Sequence, residues 1–128
     1  MKLIGDEVMF VAPSPNVGVE IALALIASFQ GHEVLPPVRA GVASGEVLMR
    51  NGDYSGAVVN LAARAVKVAR PDSLLVDRIT REGLDVTRFS GHSIGTLSLK
   101  GFDGRTSLYR VTPADSRPRP RTRRRARP

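Results

Sequence analysis

The sequence predicts an α+β sandwich built on one mostly antiparallel sheet. Three observations predict it. Strand-like and helix-like segments alternate, but without the regular spacing of βαβ crossovers. Two segments, residues 17–30 and 56–69, repeat apolar side chains at intervals of three and four, the period of an amphipathic helix. Short apolar runs are joined by glycine-bearing turns at Gly5-Asp6, at Asn51-Gly52-Asp53 and between Gly101 and Gly104.

Taken in order, residues 2–4 and 8–12 form a hairpin, because Gly next to Asp supplies the unusual φ values of a tight turn. Pro13 to Asn16 punctuates the chain, and Ser14 or Asn16 can cap a helix beginning there. The first helix covers 17–30, with Val17, Ile21, Leu25 and Ser28 or Phe29 on one face and Gly31 as its stop. Pro36 and Pro37 then interrupt the chain. Residues 38–49 are rich in β-branched and small side chains and read as one strand, closed by the turn at Asn51. Val58, Leu61, Ala62, Ala65 and Val68 draw the apolar face of a second helix over 56–69, which Pro71 ends. Residues 73–76 give a short strand, 78–83 a helical turn, and 89–99 with 107–111 a closing pair of strands.

The composition fits one folded domain. A chain of 128 residues has no room for two independent cores, and its 42% apolar and 24% charged residues suit a globular body. Beyond Thr112 the composition shifts to Arg, Pro, Ala, Ser and Thr, so the domain is expected over 1–112 and a disordered tail over 113–128. Arg117, Arg119, Arg121, Arg123, Arg124, Arg125 and Arg127 supply seven of the nineteen basic groups, leaving twelve basic against twelve acidic groups in residues 1–116. The net charge of +7 therefore belongs to residues 117–128. Such a tail can meet nucleic acid or an acidic surface by counterion release, or it can simply be a solubilising extension without aromatic side chains for base stacking. The absence of cysteine excludes a disulfide scaffold, a thiolate nucleophile and a Cys-ligated metal site. The longest apolar stretch, residues 21–27, is far short of the roughly 20 that span a bilayer. Asp6 and Glu7 stand where a leader would need apolar residues, and a soluble, cytoplasmic chain without a membrane span is expected.

Several side chains carry candidate chemistry. Asp6 puts a carboxylate at a hairpin tip beside Gly5, where a backbone can approach a ligand closely; a carboxylate there suits Mg²⁺, a hard cation that shares its oxygen ligands with substrate phosphates. The plain alternative is a turn-forming aspartate. Asn60 and Arg64 lie four apart and are neighbours on one helix face in an otherwise small, apolar stretch, so they face something charged or form a solvent stripe extended by Lys67.

Four motifs resemble the class III nucleotidyl cyclase homology domain in order and spacing: K-L-I-G-D-E-V-M at 2–9, G-V-A-S-G-E at 41–46, D-Y-S-G-A-V-V-N-L-A-A-R at 53–64 and L-K-G-F-D-G at 99–104. The resemblance covers residues 1–112 and implies a ferredoxin-like cyclase sandwich with helices on one face of the sheet. It implies an adenylate cyclase, a phosphorus–oxygen lyase that forms 3′,5′-cyclic AMP and pyrophosphate from ATP in signalling. Asp6 matches one of two aspartates that hold a pair of Mg²⁺ or Mn²⁺ ions. Asn60 and Arg64 match the pair that steadies the ribose and the transition-state charge. Lys2 and Asp53 match the base-selecting pair, which suits adenine because its N1 accepts and its amino group donates. Lys100 matches a lysine on the polyphosphate. Family members work as dimers with composite sites, so a homodimer or a heterodimer with a complete cyclase chain is implied.

The family's domain begins upstream, with a strand carrying F-x-D-x-x-G-F-T and two helices. None of that lies within these 128 residues. Without the second aspartate a two-metal site is half built, and impaired catalysis is expected, whether a start has been misassigned or the domain has decayed. The alternative is a non-catalytic remnant that binds nucleotide or a partner chain.

Overall fold

The computed structural model describes residues 2–4, 7–31, 33–102 and 104–114. Strands β1 (Lys2–Ile4) and β2 (Glu7–Met9) pair antiparallel with Ile4 opposite Glu7, and the expected turn at Gly5 and Asp6 lies outside the described residues. The second strand is shorter than residues 8–12 because Lys2 already pairs with Met9, and the three-residue partner is used up. Helix α1 (Pro15–Phe29) starts two residues earlier than its apolar repeat. Ser14 caps it by accepting from the Val17 N–H at 3.3 Å, and Pro15 fits the first turn, where no N–H is needed. Asn16, the other capping candidate, instead donates to the Gly83 carbonyl and accepts from the Asp85 N–H.

The run expected as one strand over 38–49 is divided. β3 (Arg39–Val42) pairs in parallel with β6 (Ser73–Asp77), whereas β4 (Leu48–Arg50) pairs antiparallel with β5 (Asp53–Ser55). A chain that leaves one sheet for another must break its ladder, and residues 43–47 are that break. Asn51 and Gly52 both have positive φ, 53° and 80°, as a two-residue hairpin turn of the type I′ class requires.

Helix α2 (Ala57–Val68) follows, then β6, the short helix α3 (Arg78–Glu82) and the long pair β7 (Phe89–Leu97) and β8 (Thr106–Pro113). The central sheet runs β3-β6-β8-β7, parallel only between β3 and β6. It is the mostly antiparallel sheet that the sequence predicts. β8 continues to Pro113, and the Ala114 N–H donates to the Arg88 carbonyl at 2.7 Å, just past the expected boundary at 112. Residues 115–128 lie outside the described residues.

The helices do not share one face of the sheet, which corrects that expectation. Val19, Ala22 and Ile26 of α1 pack with Leu74, Val76 and Val111, while Ala65 in the last turn of α2 and Ala69 just beyond its end pack with Leu75 and Leu108. Successive strand residues point to opposite faces, so the buried Leu74-Leu75-Val76 run of β6 needs cover on both sides. The same geometry explains Gly41. A Cβ there would lie 2.5 Å from the Ala62 carbonyl oxygen and 3.0 Å from the Ala65 Cβ, so only glycine lets β3 approach α2 this closely.

Candidate functional site

The site is assembled on the α2 side of the sheet. Inward, α2 presents Leu61 and the buried Ala65 to a cluster that also holds Leu99, Leu108 and Phe102. Its opposite face carries Asn60, Arg64 and Lys67, of which Asn60 and Lys67 are exposed and Arg64 is half-buried. Among the described residues, no side-chain hydrogen bond or ion pair holds Asn60 or Arg64. Their amide and guanidinium groups keep their hydrogen-bonding capacity for another molecule.

Asp53 opens β5 directly after the hairpin turn, opposite Arg50 in the register, and is exposed. β5 packs beside α2, so Asp53 stands on the chain segment that leads into the Asn60 and Arg64 helix. Lys100 is brought to the same side by its neighbours. Leu99 is buried against Ala65 and Ala69, Phe102 packs on the same cluster, and the Phe102 N–H closes the turn onto the Leu99 carbonyl at 3.1 Å. The apolar pair anchors the turn and leaves Lys100 exposed. Lys2 lies on β1 of the separate N-terminal hairpin, paired with Met9. Asp6, the expected metal ligand, lies outside the described residues.

Among the described residues no three His, Cys, Asp or Glu side chains gather as a metal site. No helix among them is long and apolar enough to cross a membrane. One polar chain was not legible in the sequence. Ser44, within the G-V-A-S-G-E stretch, meets the Thr80 hydroxyl at 2.7 Å, and Thr80 donates to Asp77. The partners are 36 residues apart, so no spacing pattern joins them.

No family model matches the chain. A pH-sensitive adenylate cyclase of Mycobacterium tuberculosis is 38% identical over 115 residues, covering 87% of this chain and 29% of that protein. An adenylate cyclase of Glutamicibacter nicotianae is 43% identical over 84 residues, covering 66% of this chain and 21% of that protein. The chain belongs to the class III nucleotidyl cyclase family. It spans less than a third of the length of these curated relatives. The class III fold is also seen in the adenylate/guanylate cyclase/hydrolase of Silicibacter pomeroyi, whose structure matches with a TM-score of 0.69 at 18% identity, over 81% of this chain and 66% of that one. As a class III cyclase domain, the chain keeps the family's α+β sheet and helices while the helices α1 and α2 cover its two faces.

Proposed function

We propose that the chain is part of an adenylate cyclase converting ATP to 3′,5′-cyclic AMP and pyrophosphate. What carries the reading is the Asn60 and Arg64 pair on the outer face of α2, without a described partner, in a chain 38% identical over 115 residues to an adenylate cyclase. In the reaction the ribose 3′-oxygen attacks the α-phosphorus and loses its proton. The bond from the α-phosphorus to the bridging oxygen breaks, and pyrophosphate leaves with the electron pair. Charge moves onto phosphate oxygens, so a pre-positioned cation accelerates the step, and Arg64 is that cation. Asn60, which can both donate and accept, orients the ribose. Lys100 contacts the polyphosphate. Lys2 donates to adenine N1 while Asp53 accepts from the adenine amino group, a polarity that guanine reverses.

A divalent ion, Mg²⁺ or Mn²⁺, suits Asp6 and would draw charge from the phosphate oxygens when bound. Asp6 by itself is not a cage, and the described residues gather no ligand cluster, so the remaining donors come from outside them. The centre is therefore composite: a homodimer or a heterodimer with a complete cyclase chain sets the base and transition-state residues of one chain against the metal carboxylate of the other. The second carboxylate comes only from the complete chain. By themselves these 128 residues turn over slowly.

Cyclic AMP formation by the purified chain with ATP and Mn²⁺ tests this. Withholding about 4 kcal/mol of transition-state stabilisation lowers a rate about a thousandfold, so turnover is expected near or below about 0.001 s⁻¹. Turnover near about 1 s⁻¹, the lower end of ordinary enzymes, would show that the chain alone is a complete catalyst.

A further inference from the structure

A second polar feature lies on the inner side of α2, away from Asn60 and Arg64. A cleft of about 440 Å³ opens between the 44–48 segment, the start of α2, the end of β6 and the 102 turn, a size in the range of small-molecule sites. Its walls are apolar: Leu48, Val58, Leu61, Ile79 and Phe102. Its polar side chains are Ser44, Glu46 and Asp77, and none of the described residues lining it is basic.

The hydrogen-bond directions decide what the cleft can hold. Asp77 is only 6% exposed, and its Oδ1 accepts both from the Thr80 N–H at 3.1 Å and from the Thr80 hydroxyl at 2.5 Å. Thr80 has then spent its one hydroxyl proton. The 2.7 Å contact between the two hydroxyls must be donated by Ser44, which leaves only lone pairs on the Ser44 oxygen. No described group donates to Asp77 Oδ2. A buried carboxylate oxygen without a donor is unfavourable unless something arrives to satisfy it. Among the described residues lining the cleft, every free side-chain polar atom is therefore an acceptor, two of the three polar side chains are carboxylates, and the other side chains are hydrocarbon.

We propose that this cleft binds a compact organic cation, an amidinium or ammonium group carried on a flat apolar body. The cationic end donates to Asp77 Oδ2 and Ser44 Oγ, with Glu46 at the rim, and the apolar body lies against Leu48, Ile79 and Phe102. This site needs neither the nucleotide nor the cyclase reaction.

Benzamidine is the probe, and benzamide is its neutral counterpart of nearly the same shape. Titration of each into the full chain is followed by amide NMR shifts. Benzamidine should shift the amides of Gly45, Ala57 and Phe102 and bind at least tenfold more tightly than benzamide. Asp77→Asn keeps an acceptor for the Thr80 cap and should weaken benzamidine at least tenfold, while Ser44→Ala, which leaves the Asp77 cap untouched, should weaken it severalfold. No shift at about 10 mM benzamidine, a concentration that would detect even millimolar binding, would overturn the proposal. So would equal binding of benzamide by the unmodified chain, a measurement that does not depend on any variant folding.

Discussion

Asp85 accepts two hydrogen bonds from Thr87, from its N–H at 2.9 Å and its hydroxyl at 2.6 Å. Both favour the ionised carboxylate. The Thr87 hydroxyl bond, then the backbone bond, hold the Asp85 carboxyl below its ordinary value, against a smaller opposing push from desolvation and with the smallest pull from Arg88. The folded group thus titrates below the unfolded one. Its contribution to stability is complete above the ordinary aspartate value of about 3.9 and is lost as pH falls through the lower folded value. Removing the hydroxyl with Thr87→Ala should raise the Asp85 pKa toward the ordinary value, read by NMR titration of its carboxyl carbon. An unchanged midpoint would mean that the hydroxyl bond does not set it.

At the scale of elements, the approach of β3 to α2 at Gly41 leaves less room for a Cβ than any other described glycine position. Gly41→Ala forces a methyl group against the Ala62 carbonyl oxygen at 2.5 Å, so strand and helix must separate. Overpacking of this kind costs about 1–3 kcal/mol. Urea unfolding should show the midpoint falling by a matching amount with the slope unchanged, and an unaltered midpoint would mean that the joint yields freely. Local signals made the elements legible. Asn51-Gly52 demanded its turn through positive φ, and Ser14, one of the two capping candidates, is the cap that starts α1 at Pro15, two residues before its apolar repeat. Two features escaped because they depend on partners distant in sequence. Nothing within 38–49 says that its first part pairs with β6 and its last part with β5, so the break at 43–47 was invisible. Likewise, the apolar Leu74-Leu75-Val76 run was consistent with a strand buried on both faces, but which helix covers which face is a property of the assembled sheet. The candidate site followed the same division. Asn60 and Arg64 share a face by helix geometry alone, and Lys100 reaches their side of the sheet through Leu99 and Phe102. The Ser44–Thr80–Asp77 chain closes across 36 residues and left no periodic trace.

At the scale of the whole molecule, the charged and polar groups assigned to nucleotide chemistry are presented outward on one side of the sheet rather than enclosed within it. Asp53, Asn60 and Lys100 are exposed and Arg64 is half-buried. An electrostatic site needs low dielectric to be effective, so under the proposed function these groups would act once a second surface covers them. That is the physical case for a composite centre. It can be tested by complementation with a complete class III cyclase chain whose own transition-state asparagine and arginine have been replaced by alanine. Such a chain retains its metal carboxylates but lacks the groups supplied here by Asn60 and Arg64. Cyclic AMP formation from ATP should be restored when the two chains are mixed, and Arg64→Ala in this chain should lower the restored kcat by about 100-fold or more, with little change in KM. Equal restoration by the Arg64→Ala chain, or no restoration although the two chains co-purify, would contradict the assignment.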